Sequence, residues 1–510
     1  MALARAYAVA LVGVEGHVVE VEADLALGLP GLTVTGLPDA ALAEARDRVR
    51  AAVVNSGQPW PQRRITLGLS PAWLPKRGTG FDLALAASVL AAAGAVPADA
   101  LAERVLVGEL GLDGRVRPVR GVLPAVLTAT GAGFERVVVP ADNVAEACLV
   151  PGVQATGVRT LRALLALLRG EPYEEEEPLA LPLPLEEPAV PDLLDVAGQS
   201  TGRTAVEVAA AGGHHLFLLG PPGSGKTMLA ERLPGLLPRL TRDAALQVTA
   251  IHSVAGTLPA AQPLVTRPPF QDPHHTATVA SIVGGGSGVA KPGAASLAHG
   301  GVLFLDEAPE FSHGVLDALR QPLESGRLTI RRVGGTAVYP ARFSLVLAAN
   351  PCPCGKREQE CSCTPDARRR YLARLSGPLL DRVDMHVHVP RITRAELLAE
   401  DGLGEPTRDV ATRVAQARRR AAERYAGTPW RTNGEVPGVE LLRRWPLARS
   451  ATAHAEDALD RGLLTARGYG RVARLAWTLA DLQDLGEPGP GQVDLALGYR
   501  LGEAAPGRAA

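Results

Sequence analysis

One octapeptide constrains this chain more than anything else in its 510 residues: Gly220-Pro221-Pro222-Gly223-Ser224-Gly225-Lys226-Thr227. It fits G-x-x-x-x-G-K-[ST], follows the apolar run His215 to Leu219, and leads into a helical stretch from Met228 to Leu233. Glycines there let successive backbone N–H groups wrap a phosphate, and the start of a helix adds partial positive charge. Lys226 is placed to reach β and γ oxygens, and the Thr227 hydroxyl takes a Mg2+ position.

A second element is Gly301-Val-Leu-Phe-Leu-Asp306-Glu307, four apolar residues delivering a carboxylate pair to the end of a buried strand. Asp306 is placed to hold the magnesium shell, and Glu307 to orient and deprotonate an attacking water, so the pair implies hydrolysis. A third apolar run, Phe343 to Ala348, ends near Asn350, whose amide is suited to sense the γ-phosphate. The three runs read as short strands of a parallel sheet.

Charge and composition bound the rest. Lys+Arg 53 against Asp+Glu 54 gives a net charge of -1, which excludes a uniformly basic surface but not local basic patches. Seven of the glutamates lie within residues 171–190, in EPYEEEEPLALPLPLEEPAV, where clustered charge and proline read as an extended linker. Before it, residues 1–168 alternate strand-like and Ala-rich helical segments, an α/β or α+β pattern. After it come an α/β core over 191–392 and an Arg/Ala/Leu-rich helical third domain over 393–510. Five cysteines, no signal-peptide layout and no apolar run of about 18–20 residues point to a cytoplasmic protein with no membrane partner.

The ordered set Lys226, Asp306-Glu307, Asn350 and LLDRVD (379–384) resembles an AAA+ P-loop ATPase. The phrases SLAHGGVLFLDEAPEF (296–311), LRQPLESG (319–326), AANPCPCG (348–355) and LSGPLLDRVD (375–384) resemble the magnesium-chelatase-like branch, specifically the ComM/YifB family. The resemblance implies an AAA+ core, a chelatase-type C-terminal helical lid and an N-terminal Lon-protease-like domain. It further implies ATP and Mg2+ as cofactors and a homohexameric ring. Arg382 matches the arginine finger given to a neighbouring subunit, and Arg467 the second sensor, with Arg471 and Arg474 as rivals. The activity implied is an ATP-driven motor on DNA, a helicase or branch-migration enzyme in recombination or natural transformation. The alternative is a chelatase-like or chaperone-like ATPase that remodels a protein partner.

Two local patterns bear on that choice. Gly326 to Tyr339 reads as a β-hairpin about Gly334-Gly335, with Arg327, Arg331 and Arg332 as DNA-binding candidates able to form a basic collar in a ring. Cys352, Cys354, Cys361 and Cys363 follow Asn350 as C-x-C-x6-C-x-C, four thiols that could complete a tetrahedral zinc site or stay as reduced or redox-active loop thiols. Cys148, among apolar neighbours, reads as packing, and His386 and His388 read as structural.

The segment Leu74 to Asp82 resembles the part of Lon-type proteases that carries the nucleophilic serine, and Gly108 to Leu123 the part that carries the lysine. Gly80 falls at the serine position, and no lysine lies between Lys76 and Lys226. A Ser-Lys dyad needs both groups, so the first domain reads as a structural module or a dock for a loading partner.

Overall fold

The computed structural model describes residues 2–503 apart from 37–38, 77, 173–189, 259–262, 287–289, 333–334, 357–360, 395 and 397–403. Most of the expected linker, 173–189 of residues 169–190, therefore lies outside the described residues.

The N-terminal domain is built on a seven-stranded mixed sheet in the order Gly31–Thr35, Arg64–Ser70, Glu15–Ala26, Ala2–Val12, Arg104–Leu106, Arg136–Pro140, Gln154–Val158. Ala2–Val12, for which the sequence had given no strand expectation, pairs antiparallel with Glu15–Ala26 along its whole length, with Val9 opposite Val18. Period-two geometry puts Ala4, Ala6, Ala8 and Ala10 on one buried face. Above it lies Asp82–Ala92, a helix whose eleven residues are all buried. Alanine against alanine lets the two backbones approach closely. The one charged residue of that helix, Asp82, accepts from Leu110 N (3.1 Å) and from both Nε and Nη2 of Arg48 (3.1 Å each).

The second sheet has five strands in the order Phe270–Gln271, Val302–Leu305, Ser344–Ala349, Leu216–Leu219, Met385–His388, all parallel. Its three central strands, Val302–Leu305, Ser344–Ala349 and Leu216–Leu219, are almost wholly apolar, as expected of a sheet covered on both faces. Leu219 is level with Ala349, and Leu305 with Leu347. The register therefore sends the segments beginning at Gly220, Asp306 and Asn350 out of one edge.

Among the described residues five α-helices make the lid: Thr407–Arg424, Gly438–Arg444, Arg449–Asp460, Ala466–Leu482 and Pro490–Leu501. Ala466–Leu482 starts where the Thr465 side chain accepts from Gly468 N (3.0 Å), and it buries an unbroken face from Val472 to Asp481 apart from Arg474. Beneath it is a buried polar network. Asn433 donates to Thr478 (3.0 Å) and Asp481 (2.9 Å), Arg424 ion-pairs with Asp481, and His214 of the core meets the Thr478 hydroxyl at 2.7 Å. The first three bonds hold the lid helices together, and the His214–Thr478 bond ties the lid to the core.

The N-terminal domain docks on the core through helix Arg242–Ala255. Ala250 and Leu246 pack into the apolar cluster of Val122, Leu123 and Val126, and Ser253 donates to the buried carboxylate of Glu146. Among the described residues no helix is long and apolar enough to cross a membrane.

Candidate nucleotide site

At the carboxyl edge of the parallel sheet the expected residues converge. Lys226 opens helix Lys226–Leu236. Its Nζ donates to Gly220 O (2.8 Å), Pro221 O (3.0 Å) and Asn350 Oδ1 (3.1 Å). Burial lowers its pKa below the usual lysine value, with Asp306 and Glu307 opposing that shift. The Thr227 hydroxyl donates to Asp306 Oδ2 (2.7 Å), and Glu307 N to Asp306 Oδ1 (2.8 Å). Lys226, Thr227, Asp306, Glu307 and Asn350 thus form one constellation from three strand ends.

Gly223 (φ +72) and Gly225 (φ +88) hold left-handed backbone, and a Cβ on either would meet no protein atom within 4 Å. A side chain there would project into the open cradle. The buried Ser224 hydroxyl has no partner among the described residues. Oxygen donors from Thr227 and Asp306, beside an open amide cradle and an ammonium, fit a Mg2+–nucleotide.

Glu307 is exposed, and its backbone is left-handed (φ 50, ψ 42), one of three non-glycine residues with positive φ among those described. Such a conformation costs on the order of 1–3 kcal/mol. His275 Nδ1 stands 3.6 Å from Glu307 Oε2, and its ring lies tilted against that of His274 with the centroids 4.1 Å apart. The pairing of His275 with Glu307 is not legible in the sequence, where His274-His275 belongs to a Gly/Pro/His-rich stretch, residues 267–301, that reads only as a flexible insertion in the ATPase core.

The arginines assigned by resemblance lie elsewhere. Arg382 Nη2 is held by Glu324, and Nη1 donates to Pro378 O (2.6 Å). The local partners open to it in sequence, Asp381 and Asp384, are occupied by others. Asp381 meets Arg500 (3.2 Å) and Arg467 (3.8 Å), and Asp384 meets Arg471 (2.5 Å) and His215 N (3.0 Å). Burial works against the Asp384 charge, but Arg471 and His214 outweigh it and hold the carboxyl well below the usual carboxylate range. These groups precede strand Met385–His388, so they stand at the amino edge of the sheet, opposite Lys226. Arg467 is largely exposed there, while Arg471 and Arg474 are turned inward. The structure does not bring Arg382 or Arg467 to the phosphate loop of their own chain. The Nε atoms of Arg382, Arg471 and Arg474 are buried with no partner among the described residues.

Comparison with known proteins decides the family. Residues 192–397 match the family described as magnesium chelatase, subunit ChlI, residues 21–143 match subunit ChlI of Mg-chelatase, and residues 404–500 match the subunit ChlI C-terminal family. The chain is 41% identical over 508 residues to competence protein ComM of Haemophilus influenzae, covering 98% of both chains. It is 40% identical over 485 residues to YifB of Escherichia coli, 94% of both, and 56% identical over 501 residues to the Mycobacterium tuberculosis protein Rv2897c, 98% and 99%. The chain belongs to the ComM/YifB family. A magnesium-chelatase-like AAA+ membership suggests ATPase activity with ATP and Mg2+.

A shorter similarity, 29% over 110 residues, links 21% of this ComM/YifB chain to 19% of Lon protease 2 of Bacillus subtilis. In the structure Gly80 leaves no nucleophile where a serine would stand. Lys76 is fully buried, and its Nζ is spent on the carbonyls of Gly36 (2.9 Å) and Pro71.

The hairpin of this ComM/YifB chain is formed by Arg327–Arg332 and Gly335–Pro340, with Arg331 opposite Thr336. Leu328, Ile330, Ala337 and Tyr339 make its buried face, and Arg327 and Arg331 lie on the exposed one. The side chain of Arg332 lies outside the described residues. The hairpin is seated on the insertion, where Tyr339 donates to Ala290 O (2.5 Å), and on the N-terminal domain, where Gly13 bridges to Val338. Val12, Val14 and Val254 pack against the same face. Cys352, Cys354, Cys361 and Cys363 cluster with all four Sγ atoms within 4.8 Å of one another, close enough to hold a metal ion. Cys148 is exposed rather than packed: it is the residue that ends the short helix Val144–Ala147, and its apolar sequence neighbours do not enclose it.

Proposed function

We propose that this chain is a Mg2+/ATP-dependent ring motor on DNA that separates or migrates strands during recombination or DNA uptake. The observation that carries the reading is the hairpin, which presents Arg327 and Arg331 on one exposed face. Its other face is packed onto the insertion that leads back to His275 and Glu307. A cationic face mounted on the segment that touches the hydrolytic carboxylate suits a device in which phosphate-backbone contact and turnover are coupled. The name of the Haemophilus relative, a competence protein, favours the same direction.

In the proposed cycle Lys226 leaves its carbonyl partners to bind β and γ oxygens, and Asn350, already 3.1 Å from Nζ, orients the terminal phosphate. Glu307 takes a proton from the attacking water onto its carboxylate. Mg2+ on Thr227 and Asp306 neutralises phosphate charge when bound. Arg382 and Arg467, at the opposite sheet edge, serve the site of a neighbouring copy in a hexamer. A loading partner would dock on the N-terminal domain.

The test is phosphate release with and without single-stranded and forked DNA, together with strand displacement. The expected result is DNA stimulation and ATP-dependent displacement, both lost in the Arg327→Ala/Arg331→Ala variant while nucleotide binding persists. A chain whose turnover ignores DNA and responds instead to a protein partner would be a chelatase-like remodeller.

A further inference from the structure

We propose that Cys352, Cys354, Cys361 and Cys363 hold one Zn2+ ion in a tetrahedral four-thiolate site, and that this knuckle positions Asn350 against Lys226. The second half rests on the ATP-site reading above; the first does not.

The sulfur geometry comes first. Cys352 Sγ lies 3.3 Å from Cys354 Sγ and 3.4 Å from Cys361 Sγ, and Cys354 and Cys361 are 3.5 Å apart. Zinc–thiolate bonds of about 2.3 Å in a tetrahedron place sulfurs about 3.8 Å apart, so these three need only slight expansion to admit the ion, and Cys363 Sγ lies within 4.8 Å of each of them. A disulfide requires about 2.0 Å, and the thiols are unjoined. An iron–sulfur cluster interposes several metal atoms between its thiolates and needs a wider spread than this one.

The donor set is four sulfurs with no oxygen or nitrogen ligand, which selects a soft, tetrahedral cation over Mg2+ or Ca2+. Arg368 Nη2 donates to Cys361 Sγ at 3.4 Å, an outer contact of the kind that steadies a thiolate ligand, and places positive charge beside a site whose four thiolates would outweigh a divalent cation.

The knuckle is wedged among the parts of the phosphate site. Cys352 is buried two residues beyond Asn350. A Cβ at Gly355 would lie 3.9 Å from Pro222 Cγ, within van der Waals contact of the phosphate loop. The helix after the knuckle, Pro365–Leu372, is followed by Arg374, which holds Pro309 O (3.3 Å) and Glu310 (3.0 Å) just past Glu307. Apart from Cys352 the segment has little apolar content with which to fix itself, so a metal is the available staple.

The test uses the full chain, purified under reducing conditions and freed of loose metal by gel filtration. Elemental analysis should give about one zinc per chain. Mercurial titration should release it with modification of four thiols, and Co2+ exchange should produce the visible bands of a tetrahedral four-thiolate centre. Less than about one-tenth equivalent of zinc, iron in its place, or full zinc in Cys354→Ser or Cys361→Ser overturns the site. Mercurial release on the wild-type chain decides the matter even where a serine variant does not fold.

For the positioning role, zinc removal should leave binding of a fluorescent ATP analogue within twofold and lower turnover at least tenfold, with zinc addition restoring it. In an Asn350→Ala background the same removal should cost nothing further. Additive losses in that background would refute positioning through Asn350. Lys226→Ala should keep its zinc while losing nucleotide, so failure of the ATPase reading and failure of the metal site give different results.

Discussion

Arg382 is tethered within its own chain by Glu324, and the strength of that tether sets how readily it can serve another. Arg382 is 12% exposed but Glu324 60%, so the pair is screened and belongs with surface ion pairs worth about 0.2–1 kcal/mol. The second bond, Nη1 to Pro378 O, does not depend on Glu324. Glu324→Gln removes the charge while keeping an acceptor of the same shape. If Arg382 must leave Glu324 to reach a neighbour's γ-phosphate, the substitution should favour the released state by up to about 1 kcal/mol, roughly a fivefold population change. The assay is phosphate release at saturating ATP across a range of chain concentrations. Turnover should rise about two- to fivefold, or the half-maximal concentration should fall by that factor, while Arg382→Ala loses turnover by orders of magnitude. Unchanged or lower turnover in Glu324→Gln, together with near-normal turnover in Arg382→Ala, would refute the reasoning.

Two further expectations concern stability. His215, His299 and His386 in the ATPase core are each lowered to about 4, chiefly by burial, against about 6.5 in the unfolded chain. The unfolded state therefore takes up protons first as pH falls from about 6.5 to 4, and stability declines through that window. Three such groups give a loss of about 4 kcal/mol between pH 7.5 and 5.5, measurable as a lower urea midpoint for the core. Asp82, raised to about 6 chiefly by burial, acts oppositely in the N-terminal domain, and a core stability flat across this range would contradict the assignment. Asp481→Ala strands the Arg424 guanidinium beside Asn433 in the lid network, and a destabilisation of about 3–5 kcal/mol is expected in denaturant titration; less than 1 kcal/mol would show the network to be dispensable.

Much of the nucleotide site was legible because its chemistry is local in sequence. A glycine loop between strand and helix, and a carboxylate pair at a strand end, fix their own backbone geometry, and Lys226, Thr227, Asp306 and Asn350 met as expected. The Ala-rich helical segments expected of the first domain are there, among them Ala40–Asn55 and Asp82–Ala92, because composition and period act locally. Strand Ala2–Val12 was hidden because alanine favours helix locally, and only the buried helix above it, small enough to lie flush, makes a strand of that segment. Glu324 and His275 were invisible for another reason: each meets its partner across 58 and 32 positions, and an exposed Glu or a second His carries no spacing signal of its own.

The placement of Lys226 at one edge of the parallel sheet and of Arg382 and Arg467 at the other has an arithmetic consequence. On the proposed reading each copy carries two unlike half-centres facing opposite ways, so copies join through heterologous junctions. An open row of n copies then holds n−1 complete centres, and only closure yields n. Chains defective in Lys226 and chains defective in Arg382 should complement in a mixture, since every junction between an intact phosphate loop and an intact arginine is whole. The dependence of turnover on the mixing ratio would then count junctions, and so report whether the assembly closes.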